Sequence, residues 1–400
     1  MPTTLKISQR AAQIEPSATI AAAARAKQLK AEGIHVYDFT LGEPDFATPA
    51  HICEAARAAM AKGLTHYTPS SGIPELRRAI ANRYRESLGV PCEPSHVIVS
   101  NGAKHSIHNV LTALCGPGDE VIIPAPYWVS YSELVKLTGA SPRIVATRAE
   151  NSFKMTPDEF RAAITPKCRL LMLNSPCNPT GSVYSPAEQR ALTEVVLENE
   201  LLVLSDEIYE HLIYGDAEFA AFASLDPGLP ERTVTVSGVS KSYAMTGWRI
   251  GWAVCPAEVA KVIDNLQSQE TSNPCSISQY AALAAIEGDQ TCVQQMLDEF
   301  RKRREFVVSR LRKIPGLSVI EPQGAFYAFI DVSRQFGKRL GGRQIGDSAS
   351  FCAAALEVAH VAFVAGSAFG AEGYARMSFA SDMKDLESGL DRLAELIAGG

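Results

Sequence analysis

The sequence predicts an α/β protein: a seven-stranded, mostly parallel sheet in a large domain, with a smaller α/β domain made from both chain ends. Three observations predict it. Between residues 91 and 254 short apolar runs recur, separated by helical segments with clear start signals. Continuous apolar runs of this kind suit strands buried on both faces, as in a parallel sheet covered by helices. A chain of 400 residues exceeds one typical domain and suits about two. After residue 257 the pattern changes to a long helical stretch and a new set of strands.

The elements come in order along the chain. An arm leads into an Ala-rich helix over 18–30, a good helix former. A strand at 36–41 runs into the turn cluster Gly42-Glu43-Pro44-Asp45-Phe46, where residues 1–45 of the small domain hand over to a large domain of 46–290. A helix over 51–62, a loop from Tyr67 to Gly72, and a helix opened by Pro74 and Glu75 come next. Sheet strands are read at 97–100, 121–123, 143–146, 169–173, 201–204, 233–236 and 250–254. Thr156-Pro157-Asp158-Glu159 and Ser185-Pro186-Ala187-Glu188 each fit a capping box with proline at the first helical position. A long helical stretch over 280–312 is expected to span the junction with the C-terminal domain, 291–400. Strands at 317–320 and 325–332 come after it, and the polar, Gly-rich segment 334–346 reads as a mobile loop.

Composition narrows the function classes. A net charge of −6 gives no reason to expect a nucleic-acid or anionic-membrane partner. The nine cysteines are scattered, without a C-x-x-C pair, which suits reduced thiols in a cytoplasmic setting. No apolar run reaches membrane-spanning length, and residues 1–10 lack the apolar core of a signal peptide. His105 and His108 are three apart on an expected helix, but no third ligand stands near, so they read as helix polarity and no metal is expected.

Ligands of open α/β sheets sit beyond the carboxyl ends of the strands, so the residues just past each strand are informative. After the first comes Asn101-Gly102-Ala103-Lys104, a small-residue turn opening a helix, which can present N–H groups to a phosphate. There is no G-x-G-x-x-G and no P-loop, which disfavours a dinucleotide or ATP. Trp128 comes after the second strand, and taken alone it is better explained as core. Asn178 lies in a polar turn after the fourth, and Asp206 and Tyr209 come after the fifth. A carboxylate there needs a cation, because burying it alone is costly, and a structural ion pair would serve as well. After the sixth comes Ser240-Lys241 in a small-residue loop, with Arg249 eight positions on. Each signal alone is ambiguous. Together they match pyridoxal 5′-phosphate: Gly102, Ala103 and Arg249 for the phosphate, Ser240 as a further cofactor contact, Trp128 on the ring face, and Asp206 at the ring nitrogen. Asn178 and Tyr209 would meet the ring hydroxyl, and Lys241 would take the aldehyde.

The run from Ser237 to Gly251 resembles the lysine signature of class I/II pyridoxal-phosphate aminotransferases. With Gly42 to Phe46, Pro126 to Tyr131, Asn178-Pro179-Thr180-Gly181 and Ser205 to Tyr209, the chain is similar nearly end to end to the prokaryotic aspartate aminotransferase subgroup. That resemblance implies the pyridoxal-phosphate transferase fold of type I and ping-pong transfer of an amino group from L-aspartate to 2-oxoglutarate. It implies Lys241, Asp206 and Tyr209 as catalytic residues. Arg376 would grip the substrate α-carboxylate with Asn178 and the Gly42 backbone; Trp128 would also touch substrate, and Lys104 would face both cofactor and distal carboxylate. Tyr67 would reach the cofactor phosphate of a second subunit, making a homodimer. Gly238, His105, Glu270, Cys177 and Ala365 depart from the commonest choices, and His105 and Glu270 would lie near the substrate end. Broader specificity toward aromatic amino acids or prephenate, or a β-lyase of the same fold, are the alternatives. A regulator with such a domain would need a basic DNA-binding segment, which neither end offers.

Overall fold

The computed structural model describes residues 6–399; the first five residues of the arm, part of the stretch read for a signal peptide, lie outside the described residues. Ahead of the central sheet come α1 (Gln9–Ala12), α2 (Ala18–Ala31), β1 (Tyr37–Asp38), α3 (Ala50–Ala61) and α4 (Pro74–Ser87). The sheet is built from β2 (Val97–Ser100), β3 (Glu120–Ala125), β4 (Ser141–Ala146), β5 (Cys168–Asn174), β6 (Leu202–Asp206), β7 (Thr233–Gly238) and β8 (Gly251–Val254). All seven stand where the apolar runs put them, in the spatial order β2-β8-β7-β6-β5-β3-β4. Only β8 runs against its neighbours. The connecting helices are α5 (Ala103–Leu114), α6 (Ser130–Thr138), α7 (Pro157–Ala163) and α8 (Pro186–Glu198), and α9 (Ala257–Glu270) leaves β8.

Side-chain alternation explains why the sheet is covered on both faces. Val97 and Val99 pack with Ile52 of α3 and with Leu76, Ile80 and Tyr84 of α4. Ile98, between them, packs with Ile107 and Val110 of α5. A strand whose two faces are both apolar can sit only inside such a sandwich. The edge strand β4 is partly exposed and carries Pro142, which an edge tolerates. Both capping boxes form: Thr156 Oγ1 accepts from Glu159 N, and Ser185 Oγ from Glu188 N, each at 3.2 Å.

Beyond the sheet lie α10 (Ser276–Glu287), α11 (Thr291–Leu311), β9 (Ser318–Val319), β10 (Tyr327–Asp331), β11 (Arg339–Leu340), β12 (Arg343–Gln344), α12 (Ser348–Ala354), β13 (Val361–Ala362), β14 (Val364–Ala365), β15 (Tyr374–Ser378) and α13 (Met383–Ala398). A second sheet runs in the order β14-β15-β10-β9, and β1 pairs with β13, so the two chain ends meet. Phe300 and Leu311 of α11 share one core with Phe326, Tyr327 and the α13 leucines Leu386, Leu390 and Leu393.

Three expectations are corrected. The helical stretch over 280–312 is two helices, broken at Gly288; Asp289 Oδ1 accepts from Thr291 N at 3.0 Å and Oγ1 at 2.7 Å and so begins α11 anew. The segment 334–346 is not a mobile loop. It holds the β11–β12 hairpin, anchored by the fully buried Leu340 and Ile345, an apolar pair hidden among polar neighbours. The strand expected over 36–41 is confined to β1, because Asp38 Oδ1 accepts from Thr40 N and Oγ1 and turns the chain.

One close approach positions the site. Gly238 faces Gly251 across β7 and β8, and a Cβ on Gly238 would lie 2.8 Å from Gly251 Cα and 2.9 Å from Ile250 O. That is why no larger residue stands at Gly238. A Cβ on Gly251 would overlap Ala103 N and come within 2.6 Å of the Gly102 carbonyl carbon, so the start of α5 rests directly on the sheet. Gly251→Ala should therefore destabilise the protein by about 1–3 kcal/mol, the usual cost of overpacking. Gly247→Ala, where an added Cβ meets nothing within 4 Å, should stay within about 0.5 kcal/mol of the parent. Urea unfolding of the two variants measures the contrast, and equal midpoints would refute the close approach.

Candidate active site

The carboxyl ends of the strands open into a cavity of about 370 Å³ between the two sheets. At the end of β6, Asp206 is buried, with Tyr131 donating to Oδ2 at 2.5 Å and Ile208 N to Oδ1 at 3.2 Å. No lysine or arginine among the described residues is within ion-pair distance of it. Burial pushes its carboxyl up to about 6, against the Tyr131 and Ile208 bonds and the nearby charge of Lys241. Asn174, at the end of β5, donates to the Asp206 carbonyl at 2.9 Å and accepts from Asn178 N at 2.9 Å, which ties the acid to the Asn178 turn.

Lys241 lies just past β7 with Ser240 beside it, and both line the cavity. Its Nζ donates to the Gly42 carbonyl and lies 5.9 Å from the Tyr209 ring centre. Burial pushes its ammonium down to about 8, with Glu43 pulling the other way. Gly42 must be small, since a Cβ there would stand 2.8 Å from Tyr327 Oη. That hydroxyl instead meets Tyr209 Oη at 2.8 Å.

Arg376 reaches in from β15 and is 1% exposed. One Nη donates to Asn178 Oδ1 at 3.0 Å, the other to the Thr40 carbonyl at 2.6 Å, and the guanidinium lies over the Tyr327 ring at 4.6 Å. Its Nε is buried without a partner, and none of the described carboxylates pairs with it. Burial lowers its pKa, although a guanidinium stays charged in proteins.

The start of α5 forms another part of the wall. Gly102 has φ +86, and a Cβ on it would strike the Arg249 guanidinium. Arg249 donates to Thr246 O at 2.8 Å and to Asn101 O at 3.4 Å, remaining exposed beside the free N–H groups of the helix start. An anion fits there. Lys104 stands 4.7 Å from the centre of the Trp128 ring, which meets Tyr131 edge-on at 5.4 Å. Burial and then Arg249 lower the Lys104 ammonium.

Of the sequence-derived residues, Gly42, Ala103, Lys104, Trp128, Asn178 and Asp206 line this one cavity. So do Tyr209, Ser240, Lys241, Arg249 and Arg376, while Gly102 shapes its rim through Arg249. Tyr67 does not line it and is 90% exposed. His105 and Glu270 do not line it either; they meet each other at 3.4 Å. Tyr131, Asn174 and Tyr327 escaped the sequence reading. Tyr131 closes the family-like run that starts at Pro126, and Asn174 stands four before Asn178, whereas Tyr327 sits in an apolar strand that carries no polar signal.

Residues 34–393 match the family described as Aminotransferase class I and II. The chain is 46% identical over 389 residues to the aspartate aminotransferase of Geobacillus stearothermophilus, covering 97% of this chain and 98% of that one. It is 45% identical to the aspartate/prephenate aminotransferase of Nitrosomonas europaea, covering 98% of this chain and 100% of that one. The crystal structure of the aspartate aminotransferase of Rhizobium meliloti superposes with a TM-score of 0.95 at 42% identity, covering 98% and 99% of the two chains.

The depressed amine of Lys241 gives a direct test. In protein stripped of small molecules, a small aldehyde with cyanoborohydride should modify Lys241 ahead of surface lysines. The rate should rise with pH and level off above about 8, where the amine is neutral, while surface lysines keep rising toward about 10.4. Peptide mapping reads the site, and a Lys241 profile shared with the surface lysines would contradict the burial effect.

Proposed function

The chain belongs to the class I and II aminotransferase family, and on that premise we propose that it moves the amino group of L-aspartate to 2-oxoglutarate, using pyridoxal 5′-phosphate. Arg376 carries the substrate reading. A guanidinium this deeply buried, with an unpaired Nε, is costly until an anion completes it. The α-carboxylate of an amino acid is an anion that every amino-group transfer brings, and it fits the planar fork bidentately. Lys104, at the same cavity, supports a second carboxylate and hence a dicarboxylic donor.

The residues fit the cofactor as well. Asp206 is a buried carboxylate without a cation, which a protonated ring nitrogen would supply. Gly102, Ala103 and Arg249 meet at the helix start that suits a phosphate, and Ser240 lines the same cavity. Bound there, pyridoxal 5′-phosphate supplies an aldehyde that takes up an amine and a ring that draws electrons from the substrate α-carbon. Trp128 would cover the ring, and Asn178 and Tyr209 would bond its hydroxyl. Lys241 Nζ would move the proton at the substrate α-carbon, and a pKa of about 8 keeps both its forms populated near neutral pH. Tyr67, 90% exposed in one chain, supports a homodimer in which it reaches the partner's phosphate site. Nine free cysteines support a reducing, cytoplasmic setting.

A panel of amino donors with 2-oxoglutarate, read by oxo-acid formation, tests the reading, with aspartate expected to lead. Prephenate belongs on the acceptor side of that panel, because one relative is named for it. Release of pyruvate and ammonia without an oxo-acid acceptor would make the protein a β-lyase instead. A charge-assisted contact from Lys104 to the distal carboxylate is worth roughly 1.5–3 kcal/mol. Lys104→Ser should then lower kcat/KM for aspartate and glutamate by about tenfold to a hundredfold, with neutral donors little changed. An equal loss for all donors would assign Lys104 to the cofactor or the fold.

A further inference from the structure

Outside the cavity, a chain of contacts leads from a glutamate to the turn that opens α5. Glu270 is the last residue of α9. Its Oε2 lies 3.4 Å from His105 Nε2, and its Oε1 lies 3.7 Å from His108 Nε2. His105 Nδ1 in turn accepts from the backbone N–H of Asn101 at 3.3 Å. The Asn101 carbonyl accepts from Arg249 at 3.4 Å. A ring nitrogen that accepts from a backbone N–H carries no proton, so the ring proton is on Nε2, facing the carboxylate. Glu270 thereby selects the tautomer in which His105 can hold the turn.

We propose that His105, held in one tautomer by Glu270, is a positioning residue that clasps the Asn101–Gly102–Ala103 turn and releases it when protonated, which makes retention of the phosphate-bearing cofactor acid-sensitive. The inference rests on the reading that this turn holds the cofactor's phosphate. Protonated His105 carries N–H groups on both ring nitrogens, and Nδ1–H then opposes the Asn101 N–H. The turn loses its anchor, and with it the placement of the α5 N–H groups and of Arg249.

Few charges face His105. Glu270 comes from α9 and favours the protonated ring; His108, one turn along α5, opposes it, and burial is the largest influence and lowers the pKa below 6.5. Arg249 reaches it only through Asn101. Strands β2, β7 and β8, packed under α5, carry no acidic or basic side chain. On α6, also packed on α5, Glu133 and Lys136 pair with each other at 2.7 Å, and Asp264 of α9 is taken by Ser70.

The test is loss of pyridoxal phosphate from the holoenzyme, followed by visible absorbance after dilution into a cofactor scavenger, from about pH 8 down to about pH 5. In the parent protein, dissociation should speed up about fivefold to tenfold as the pH falls, the effect of one hydrogen bond. His105→Gln, whose amide oxygen accepts from Asn101 but does not titrate, should remove that acceleration and stay slow. His105→Leu should be fast at every pH. Glu270→Gln should move the acid limb to lower pH, because the charge that favours the imidazolium is gone. An acid limb unchanged in His105→Gln, or parent-like retention in His105→Leu at about pH 8, would overturn the proposal. Pyridoxal lacking the phosphate separates the two layers. If His105→Leu weakens its capture on Lys241 as much as that of pyridoxal phosphate, the phosphate is not at this turn and the underlying cofactor placement fails. If neither form is captured by the parent protein, the cofactor reading itself fails.

Discussion

A buried carboxylate, a half-buried amine and a buried guanidinium stand around one cavity without neutralising one another. Asp206 is held by Tyr131, Lys241 by the Gly42 carbonyl, and Arg376 by Asn178 and the Thr40 carbonyl. Each bond is directional and partly compensates desolvation, yet none discharges the group. Because the partners are neutral, the charges stay available to a ligand that brings a cation to one end and an anion to the other. Had Asp206 and Lys241 been allowed to pair, both would be stable and neither would be useful.

Holding such groups apart requires stiff surroundings. Asp206, Ser240 and Lys241 hang from the ends of strands buried on both faces, where the sheet cannot yield. Arg376 comes from the second sheet, locked between β10 and β14 by register with Phe329 and Val364. The polar floor is cross-tied by Asn174, which holds the Asp206 carbonyl and the Asn178 turn together. Glycines at Gly238 and Gly251 let β7, β8 and the start of α5 approach more closely than any side chain permits. The helix start and Arg249 are thereby brought together at the wall of the cavity that Lys241 also lines.

Much of this was legible in the sequence, for identifiable reasons. Parallel strands are continuous apolar runs, so their positions and their carboxyl ends could be read directly, and with them Asp206, Asn178 and Lys241. Capping boxes at Thr156 and Ser185 are local chemistry and were equally legible. The errors lie where a local signal was outweighed. Gly288 and Asp289 divide what reads as a continuous helical pattern. Leu340 and Ile345 bury a hairpin inside a stretch whose composition resembles a loop.

The sequence by itself determined the sheet, the helices between its strands, and the groups that each strand end presents, because these depend on side-chain period and short-range capping. Only the tertiary structure decided that Arg376 has no carboxylate partner among the described residues and that Tyr131 is the one that holds Asp206. It alone decided that His105 turns from the cavity to Glu270 and Asn101. Those facts depend on which distant segments face each other once the two sheets close. Burial then turns an ordinary arginine, tyrosine or histidine into a group whose partners define what it can do.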